Sequence, residues 1–309
     1  MQARDWHTMR GSLVAPTLCT VVGGSSQSRA DNPCDNELQR AVGVVRMVLE
    51  GSERGTRIAH LSERYPFRVM FPRACSTEVD EAVLVNSAGG VAGGDRLEFA
   101  MTALGNASAA VTSQAAEKVY RALSEPARIS TRLQVSEAAK LAWLPQETIV
   151  FNRARLNRDT QVDLVSGAEL LALEWLVLGR TAHGEELVRG HIVDSWRVRI
   201  DGRLAWADSF RVTDGMFPHL RSRALLSGSN AIATLVWFSP HPNRRLEFFR
   251  DLAPSRGCQF AATQVGGLLV ARFAAERSSD LRRVLRSLLR ELDREFGPGP
   301  FRVPRMWSC

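Results

Sequence analysis

From residue 42 onward the chain alternates short apolar runs with Gly, Pro and charged residues. The runs are rich in Val, Ile and Phe, a composition that favours strands over helices. The first of them are VGVVRMVLE, TRIAHL, YPFRVMFPR and EAVLVN, and further strand-like runs lie at 186–199 and 203–212. The pattern therefore predicts a mainly β fold over residues 42–309.

One segment near the C-terminus has helical periodicity instead. In DLRRVLRSLLRELDREF the apolar residues recur at three- and four-residue spacing and form one stripe. Ser278 or Ser279 is a candidate N-cap, and Gly297 followed by Pro298 ends the pattern. We expect an amphipathic helix over 279–296, with its arginines along the outer face. Its role is packing onto the β core through the leucines or, alternatively, presenting a face to an acidic partner.

Two other C-terminal segments are less regular. The run at 222–238 is a candidate for a short helix before a strand, although its central glycine weakens the pattern. The last residues, PFRVPRMWSC, contain two prolines that disfavour regular structure. Trp307 so near the end predicts a tail that docks on the rest of the molecule.

A weak internal repeat bears on the architecture. Aligning Ala107, Ala139 and Ala168 superimposes three units of strand, tight turn, alanine and strand, spaced by about 30 residues as in stacked repeats. The units are LEFAMTALGNASAAVTSQ (97–114), TRLQVSEAAKLAWLPQE (131–147) and TQVDLVSGAELLALEW (160–175). The repeat favours a β-helix-like solenoid of stacked hairpins with few helices, and a β-sandwich is the alternative.

The densest group of turn-forming residues is the glycine-rich run GGVAGGD that ends at Asp95. A phosphate-binding loop would need Lys and Ser or Thr after its last glycine, and a dinucleotide fingerprint would open a helix. Here the strand-like LEFAMTAL follows. The run is therefore predicted to form a structural turn or bulge, or a polar site around Asp95.

Charge and composition indicate which class of binding partner the chain favours. The chain of 309 residues has a formal net charge of +7 and a pI near 9.8, yet its only lysines are Lys118 and Lys140. The positive charge is arginine spread among 33 acidic residues, which favours acidic protein partners over nucleic acid.

Cysteine and histidine usage points to an intracellular protein. The five cysteines are scattered without a C-x-x-C pair, and the six histidines form no H-x-x-x-H pair, so neither a disulfide framework nor a permanent metal site is predicted. Residues 1–41 are polar and aperiodic, and we expect a flexible N-terminal extension with no signal peptide or membrane span. A cytoplasmic location follows as an expectation.

Four acidic residues lie in apolar or turn-rich segments, where a carboxylate needs a compensating partner. That partner is either an arginine or a cation in transit. The four are Asp95, Glu147 in WLPQETIVF, Glu174 in LALEWLVLGR and Glu185 in HGEEL. No catalytic constellation accompanies them by spacing.

Several motifs in order resemble the urease accessory protein family UreD, also called UreH. They are GGVAGGDRLEF, TSQAAEKVYRA, LPQETIVF, LEWLVLGRTAHGE, GGLLVARF and the closing PRMW, and the match extends in order from about residue 42 to residue 309. One departure precedes the glycines: the family usually has a His-Pro-type lead, whereas this chain has Asn86, Ser87 and Ala88. No histidine at that place can be assigned a role.

The resemblance implies a non-enzymatic scaffold with a β-helix-like, helix-poor fold. It implies binding to UreF, through UreF to the GTPase UreG, and docking on the urease apoprotein for nickel insertion, without a permanently bound cofactor. Nickel would pass transiently along an internal polar path. Because carboxylates are weak, exchangeable ligands, we infer that Asp95, Glu147, Glu174 and Glu185 line that path.

Two other classes of function remain open from the residues alone. One is a hydrolase that uses the glycine-rich loop as an oxyanion hole, which requires a nucleophile with a base within hydrogen-bond reach. The other is a protein-interaction module unrelated to urease.

Overall fold

The computed structural model describes residues 40–72, 80–180, 183–240, 242–251, 257–297 and 299–308. Nearly all of the extension predicted for 1–41 lies outside these residues, so that interpretation stays a prediction. The strands are β1 (Val42–Ser52), β2 (Gly55–Arg64), β3 (Phe67–Met70), β4 (Glu81–Asn86), β5 (Arg96–Leu104), β6 (Ser108–Ser113), β7 (Glu117–Val119), β8 (Ala127–Val135), β9 (Lys140–Leu144), β10 (Thr148–Val150), β11 (Arg155–Leu164), β12 (Glu169–Leu178), β13 (His191–Ile200), β14 (Arg203–Val212), β15 (Ala231–Phe238), β16 (Cys258–Val265) and β17 (Leu268–Ala275). The α-helices are α1 (Pro242–Asp251) and α2 (Ser278–Phe296), and short 3-10 helices span Asp214–His219 and Arg305–Ser308.

The strands form two sheets. A seven-stranded sheet has the order β14-β13-β11-β8-β5-β1-β2, and a ten-stranded sheet has the order β16-β17-β15-β12-β9-β6-β4-β3, with β10 and β7 attached beside β12. The central neighbours in each sheet are parallel, whereas the outer pairs are antiparallel. The mainly β, solenoid-like prediction is confirmed.

The internal repeat corresponds to the register of the stack. In the first sheet Leu97 pairs with Ile129, and in the second Ser108 pairs with Lys140, so both pairs have the spacing found in the sequence. The aligned alanines are fully buried and stack directly. The Lys140 N–H donates to the Ala107 carbonyl at 2.7 Å, and the Glu169 N–H donates to the Ala139 carbonyl at 2.9 Å.

The structure also shows how each repeat unit is built. The two strands of a unit lie in different sheets, and each pairs with the matching strand of the next unit rather than with its own neighbour across the turn. Each unit is therefore an arch that spans both layers, and stacking the arches closes a core between the sheets.

The middle of the ten-stranded sheet is buried on both faces, whereas its edge strands β3 and β16 expose alternate or most residues. Its inner face meets the seven-stranded sheet, and its outer face is covered by the two α-helices and the C-terminal residues, which form a second apolar cluster. β12 accordingly is buried at nearly every position, as expected for a parallel strand covered on both sides. In the inner strands of the seven-stranded sheet burial alternates strictly, as in β8 and β11.

The predicted C-terminal helix is confirmed with small changes at its start. The leucine stripe is buried, and Gly297 ends the helix with a φ of 82°. The serine cap is wrong, because Ser278 is the first helical residue and Arg277 occupies the N-cap position without a side-chain cap. Among the described helices, none is long and apolar enough to cross a lipid bilayer.

The C-terminal tail docks as predicted. The Trp307 indole is buried, donates from Nε1 to the Leu144 carbonyl at 3.2 Å, and lies 5.8 Å from the Trp175 ring. Residues Arg305–Ser308 form a 3-10 turn, so the prolines did not exclude regular structure there.

Two helical assignments differ from the sequence analysis. Residues 222–228 form turns rather than a short helix, and the strand that follows is β15. Conversely, α1 was not predicted. It buries Phe249 against Trp237, whose ring centroid lies 6.3 Å away.

Truncating the apolar stripe of α2 tests the second core. Leu288 is 2% exposed and belongs to the cluster under the helix. Leu288→Ala, like Leu285→Ala, should therefore lower the free energy of unfolding by about 2–5 kcal/mol, measured by urea denaturation. The matched control is Leu123→Ala, because Leu123 is 90% exposed and should change stability by less than about 0.5 kcal/mol. Equal effects of Leu288→Ala and Leu123→Ala would contradict this packing.

Candidate functional site

The glycine-rich loop between β4 and β5 is a packed structural element. Gly89, Gly90 and Gly94 have positive φ values of 75°, 152° and 90°. A Cβ at Gly90 would lie 2.5 Å from the Tyr120 ring, so the loop backbone approaches β7 too closely for any side chain there. The Tyr120 hydroxyl also donates to the Gly89 carbonyl at 2.9 Å. These contacts favour the structural interpretation of the glycines.

Asp95 closes this loop through backbone hydrogen bonds. Its carboxylate is buried and accepts from the Ala41 N–H at 2.8 Å and from the Ala92 N–H at 2.7 Å. The side chain therefore ties the entry of β1 to the loop, and its two oxygens are occupied by backbone donors.

A buried ion cluster lies between the two sheets. Arg158 on β11 donates from Nε and Nη2 to both carboxylate oxygens of Asp194 on β13, at 2.9 and 2.7 Å. From Nη1 it donates to Glu174 on β12 at 2.7 Å and to the Thr148 hydroxyl at 3.2 Å. The other Glu174 oxygen accepts from Trp143 Nε1 at 2.7 Å. Every charged group in the cluster is therefore paired.

The charges in this cluster do not balance. One guanidinium faces two carboxylates, so the cluster carries a formal charge of −1 when both acids are ionised. Burial alone would lower the pKa of Arg158, but the charges of Asp194 and Glu174 raise it above its ordinary value. Burial raises the pKa of Glu174; Arg158 and the Trp143 hydrogen bond oppose this shift, and the charge of Asp194 adds to it. The site therefore favours an additional proton at Glu174.

Cavities adjoin Glu174 on two sides. One of about 150 Å³ has an apolar wall that includes Phe99 and Trp143, and a polar wall that includes Glu117, Arg158 and Glu174. The other, of about 330 Å³, extends towards β14 and β17 and is lined by residues that include Glu174, Asp194, Asp208 and Arg272. Glu174 is thus shared by both cavities.

A second carboxylate lines the smaller cavity. Both carboxylate oxygens of Glu117 on β7 accept from the side-chain amide of Asn86, whose Nδ2 lies 3.1 Å from Oε1 and 3.0 Å from Oε2. Burial raises the pKa of Glu117, while the hydrogen bond from Asn86 and the neighbouring Lys118 partly offset that rise. Asn86 directly precedes the glycine-rich loop, and its amide occupies the wall beside Glu117.

The remaining predicted acids are paired with arginines elsewhere. Glu147 accepts from Arg282 of α2 at 2.5 Å. Glu185 pairs with Arg180 and accepts from the Asn152 N–H at 2.7 Å. Burial would raise the pKa of Glu185, but the Asn152 and Arg180 hydrogen bonds lower it below its ordinary value. The structure thus supplies the arginine partner considered for these acids, and for Glu174 as well.

The structure does not bring the four predicted acids into one group. Within the described residues, no set of three or more His, Cys, Asp and Glu side chains is arranged to hold a metal ion. Of the four, Glu174 lines the two cavities described above, whereas Asp95, Glu147 and Glu185 are not among their lining residues.

Sequence reasoning missed Arg158, Asp194 and Glu117. A usable signal existed for the first two, because strand alternation places Arg158 on the inward row with Leu156 and Val162. A charged residue on an otherwise apolar row predicts a buried partner of opposite sign. Glu117 has no such signal, because β7 is only three residues long.

Comparison with known proteins identifies the family. A family model described as UreD urease accessory protein matches residues 41–308. The urease accessory protein UreD of Xanthobacter autotrophicus is 40% identical over 270 residues, which cover 87% of this chain and 91% of the relative. The chain belongs to the UreD family of urease accessory proteins.

Other relatives match over a similar length. The UreD protein of Brucella suis is 36% identical over 279 residues, covering 90% of this chain and 98% of the relative. The UreD protein of Azorhizobium caulinodans is 39% identical over 270 residues, covering 87% and 97%. Family membership supports a role in urease maturation, and the accessory name suggests a part that is not itself catalytic.

Removing the arginine from the buried cluster should be costly and dependent on pH. Arg158→Met leaves Glu174 and Asp194 buried without their cation, so the free energy of unfolding should fall by about 3–5 kcal/mol. Burial raises the pKa of Glu174 in the folded state, and the variant removes the Arg158 charge that opposes this rise, so the penalty is largest where Glu174 is ionised and is relieved as it binds a proton. The loss should therefore shrink between about pH 7 and about pH 5, measured by urea denaturation.

The control for this variant is Arg197→Met. Arg197 pairs with Asp159 on the outer face of the same sheet, with its side chain about half exposed, and its loss should cost less than about 1 kcal/mol. A similar loss in both variants, or a loss in Arg158→Met that grows on acidification, would contradict the cluster.

Proposed function

We propose that this chain is a scaffold for urease maturation that binds UreF, engages the GTPase UreG through UreF, docks on the urease apoprotein and facilitates nickel insertion. The observation that supports this proposal most directly is the UreD family match over residues 41–308. The protein acts by assembly rather than by catalysis, holds no cofactor permanently and works in the cytoplasm.

Nickel is cargo in this proposal, and the interior of the two-sheet stack offers a route for it. Two cavities share Glu174, and their walls carry further carboxylates in Glu117 and Asp194. Oxygen ligands of this kind bind a divalent ion weakly enough to release it. Because the Arg158 cluster has one carboxylate in excess, a passing divalent cation would meet one uncompensated negative charge there.

The other acids of the original hypothesis take different parts in this route. Glu147 follows Gln146, which lines the smaller cavity, and its pairing with Arg282 anchors α2 to that wall. Asp95 shapes the glycine-rich loop, and Glu185 fixes the turn after β12. We propose that Glu174 contacts nickel in transit, while Asp95, Glu147 and Glu185 support the segments around the path.

The hydrolase alternative has less support. An oxyanion hole needs free backbone donors, but the loop N–H groups of Val91, Ala92 and Gly94 are already bonded to protein acceptors. The described residues that line the adjoining cavity include neither His nor Cys. Burial raises the pKa of Cys258, which disfavours its thiolate. An interaction module unrelated to urease is disfavoured by the family match.

Deleting the gene tests the maturation role. Urease protein should accumulate normally but contain little nickel, because insertion of the metal is the step that fails. The measurement is the nickel content of urease purified from the deletion strain under nickel limitation, with a complemented strain as the control. Urease with normal nickel content from the deletion strain would refute the proposed function.

Amide variants of the four acids test the path. In Glu174→Gln the bidentate Arg158 and Asp194 pair remains, and about one hydrogen bond is lost, so stability should fall by only about 1–3 kcal/mol. UreF binding should persist, while urease activation at low nickel should fall more than activation at high nickel. Thermal unfolding, UreF pull-down and urease activation are measured on the same preparations.

Asp95→Asn, Glu147→Gln and Glu185→Gln form the comparison set, and Glu50→Gln is the control. Glu50 pairs with Arg57 on the surface, away from both cavities. The three comparison variants should show smaller nickel-dependent defects than Glu174→Gln. Unchanged activation in all four variants would remove support for the path, as would defects that follow stability loss at every nickel level.

A further inference from the structure

The outer face of the seven-stranded sheet carries an unusual arrangement of arginines. We define the arginine face as Arg96, Arg128, Arg132, Arg155 and Arg211, which all lie at outward positions of their strands. The register places them across the sheet: Arg96 pairs with Arg128, Arg128 with Asn157, Asn157 with Val193, and Val193 with Arg211.

The arginine face has no matching acids of its own. Within the described residues Arg96, Arg132, Arg155 and Arg211 form no ion pair, and Arg128 has only the distant, exposed Glu125 at 3.9 Å. Glu98 and Asp159 on the same surface already form ion pairs with other arginines. Glu98 pairs with Arg46 at 3.2 Å, and Asp159 pairs with Arg197 at 2.6 Å.

Such an arrangement costs stability in the isolated protein. Arg96 and Arg128 are direct neighbours on adjacent parallel strands, and like charges in that relation repel. Burial lowers the pKa of the neighbouring His191, and the charges of Arg155 and Arg211 lower it further against the opposing charge of Asp214. A negatively charged partner over this surface would relieve the repulsion.

The size of the surface constrains the partner. Arg96 and Arg211 lie four strands apart, which corresponds to about 19 Å across the sheet. An open groove of about 830 Å³ runs over this region, and Arg96, Arg128, Arg132, His191 and Arg211 line it. An extended segment of about six residues, or about 13 residues of helix, spans that distance.

The distribution of charged and aromatic side chains favours a protein over a nucleic acid as the binding partner. Glu98 and Asp159 lie in the groove between the arginines, and they would repel the uniform negative charge of a phosphate backbone. The outward positions of the groove strands carry no Phe, Trp or Tyr, so single-stranded bases have no stacking platform. A protein segment can place its carboxylates at the arginines alone.

We infer that the arginine face binds an acidic segment of a partner protein that lies across the strands. This inference does not rest on the role in urease maturation, and it assigns a function to a surface on the opposite side of the sheet from Arg158 and the cavities. Binding is expected to weaken with salt, because the contacts are between solvent-exposed charges.

The test compares two variants of equal net charge in the full-length protein. The face variant carries Arg96→Gln, Arg128→Gln and Arg211→Gln, and the control variant carries Arg57→Gln, Arg283→Gln and Arg294→Gln, which are exposed arginines of β2 and α2. The probe is a fluorescent synthetic peptide of alternating Glu and Ser, and binding is measured by anisotropy at low and physiological salt. Thermal unfolding verifies that both variants are folded.

We expect the Kd of the peptide to rise about tenfold in the face variant and less than about twofold in the control. Equal weakening in both variants would show that only net charge matters and would overturn the inference, as would no binding to the unaltered protein. Tighter binding of single-stranded or duplex DNA than of the peptide, lost in the face variant, would assign the surface to nucleic acid instead. Sedimentation that shows a dimer dispersed by the face variant would assign it to a second copy of the chain and would also overturn the inference.

Discussion

Strand alternation in the parallel stack decides where each charge in this protein lies. Every strand of the seven-stranded sheet presents alternate side chains to the layer between the sheets, and that layer is filled by a continuous apolar cluster. A charged residue on an inward row must therefore find its partners inside. Arg158 meets this condition because its neighbours on β12 and β13 are Glu174 and Asp194, which face the same layer.

Much of the architecture could be predicted because it depends on local sequence patterns. The alanine repeat spacing equals the strand register, since an alanine is what fits at the turn where each arch is stacked directly on the last. The leucine stripe of α2 likewise reflects a single buried face.

The repeat did not reveal whether the strands of a unit pair with each other, because both arrangements require the same alternation and the same turn residues. The short helix α1 was missed because its stripe rests mainly on Phe249.

The candidate site was only partly predictable, for a physical reason. Glu174 was found because it interrupts an apolar run, and the parallel criterion of an acid in a turn-rich segment selected Asp95 and Glu185, whose partners are backbone N–H groups and a local arginine. Sequence shows that a carboxylate needs a partner but not which partner it has. Partners from strands about 16 to 36 residues away become neighbours only through the register, as in the bonds of Arg158 to Glu174 and Asp194.

The same alternation couples the interior cluster to the outer surface. Arg158 faces the cavities, while the next residue, Asp159, faces outward and forms an ion pair with Arg197, with 2.6 Å between Oδ1 and Nη1. A slip of β11 by one residue would bury Asp159 and Asp163 and expose Leu156 and Val162, so the cost would reach many kcal/mol. The chain is therefore constrained to keep a slightly acidic interior and an arginine-rich exterior on opposite sides of one sheet. Because only a single layer of backbone separates them, a change in the register of β11 could not alter one surface without altering the other.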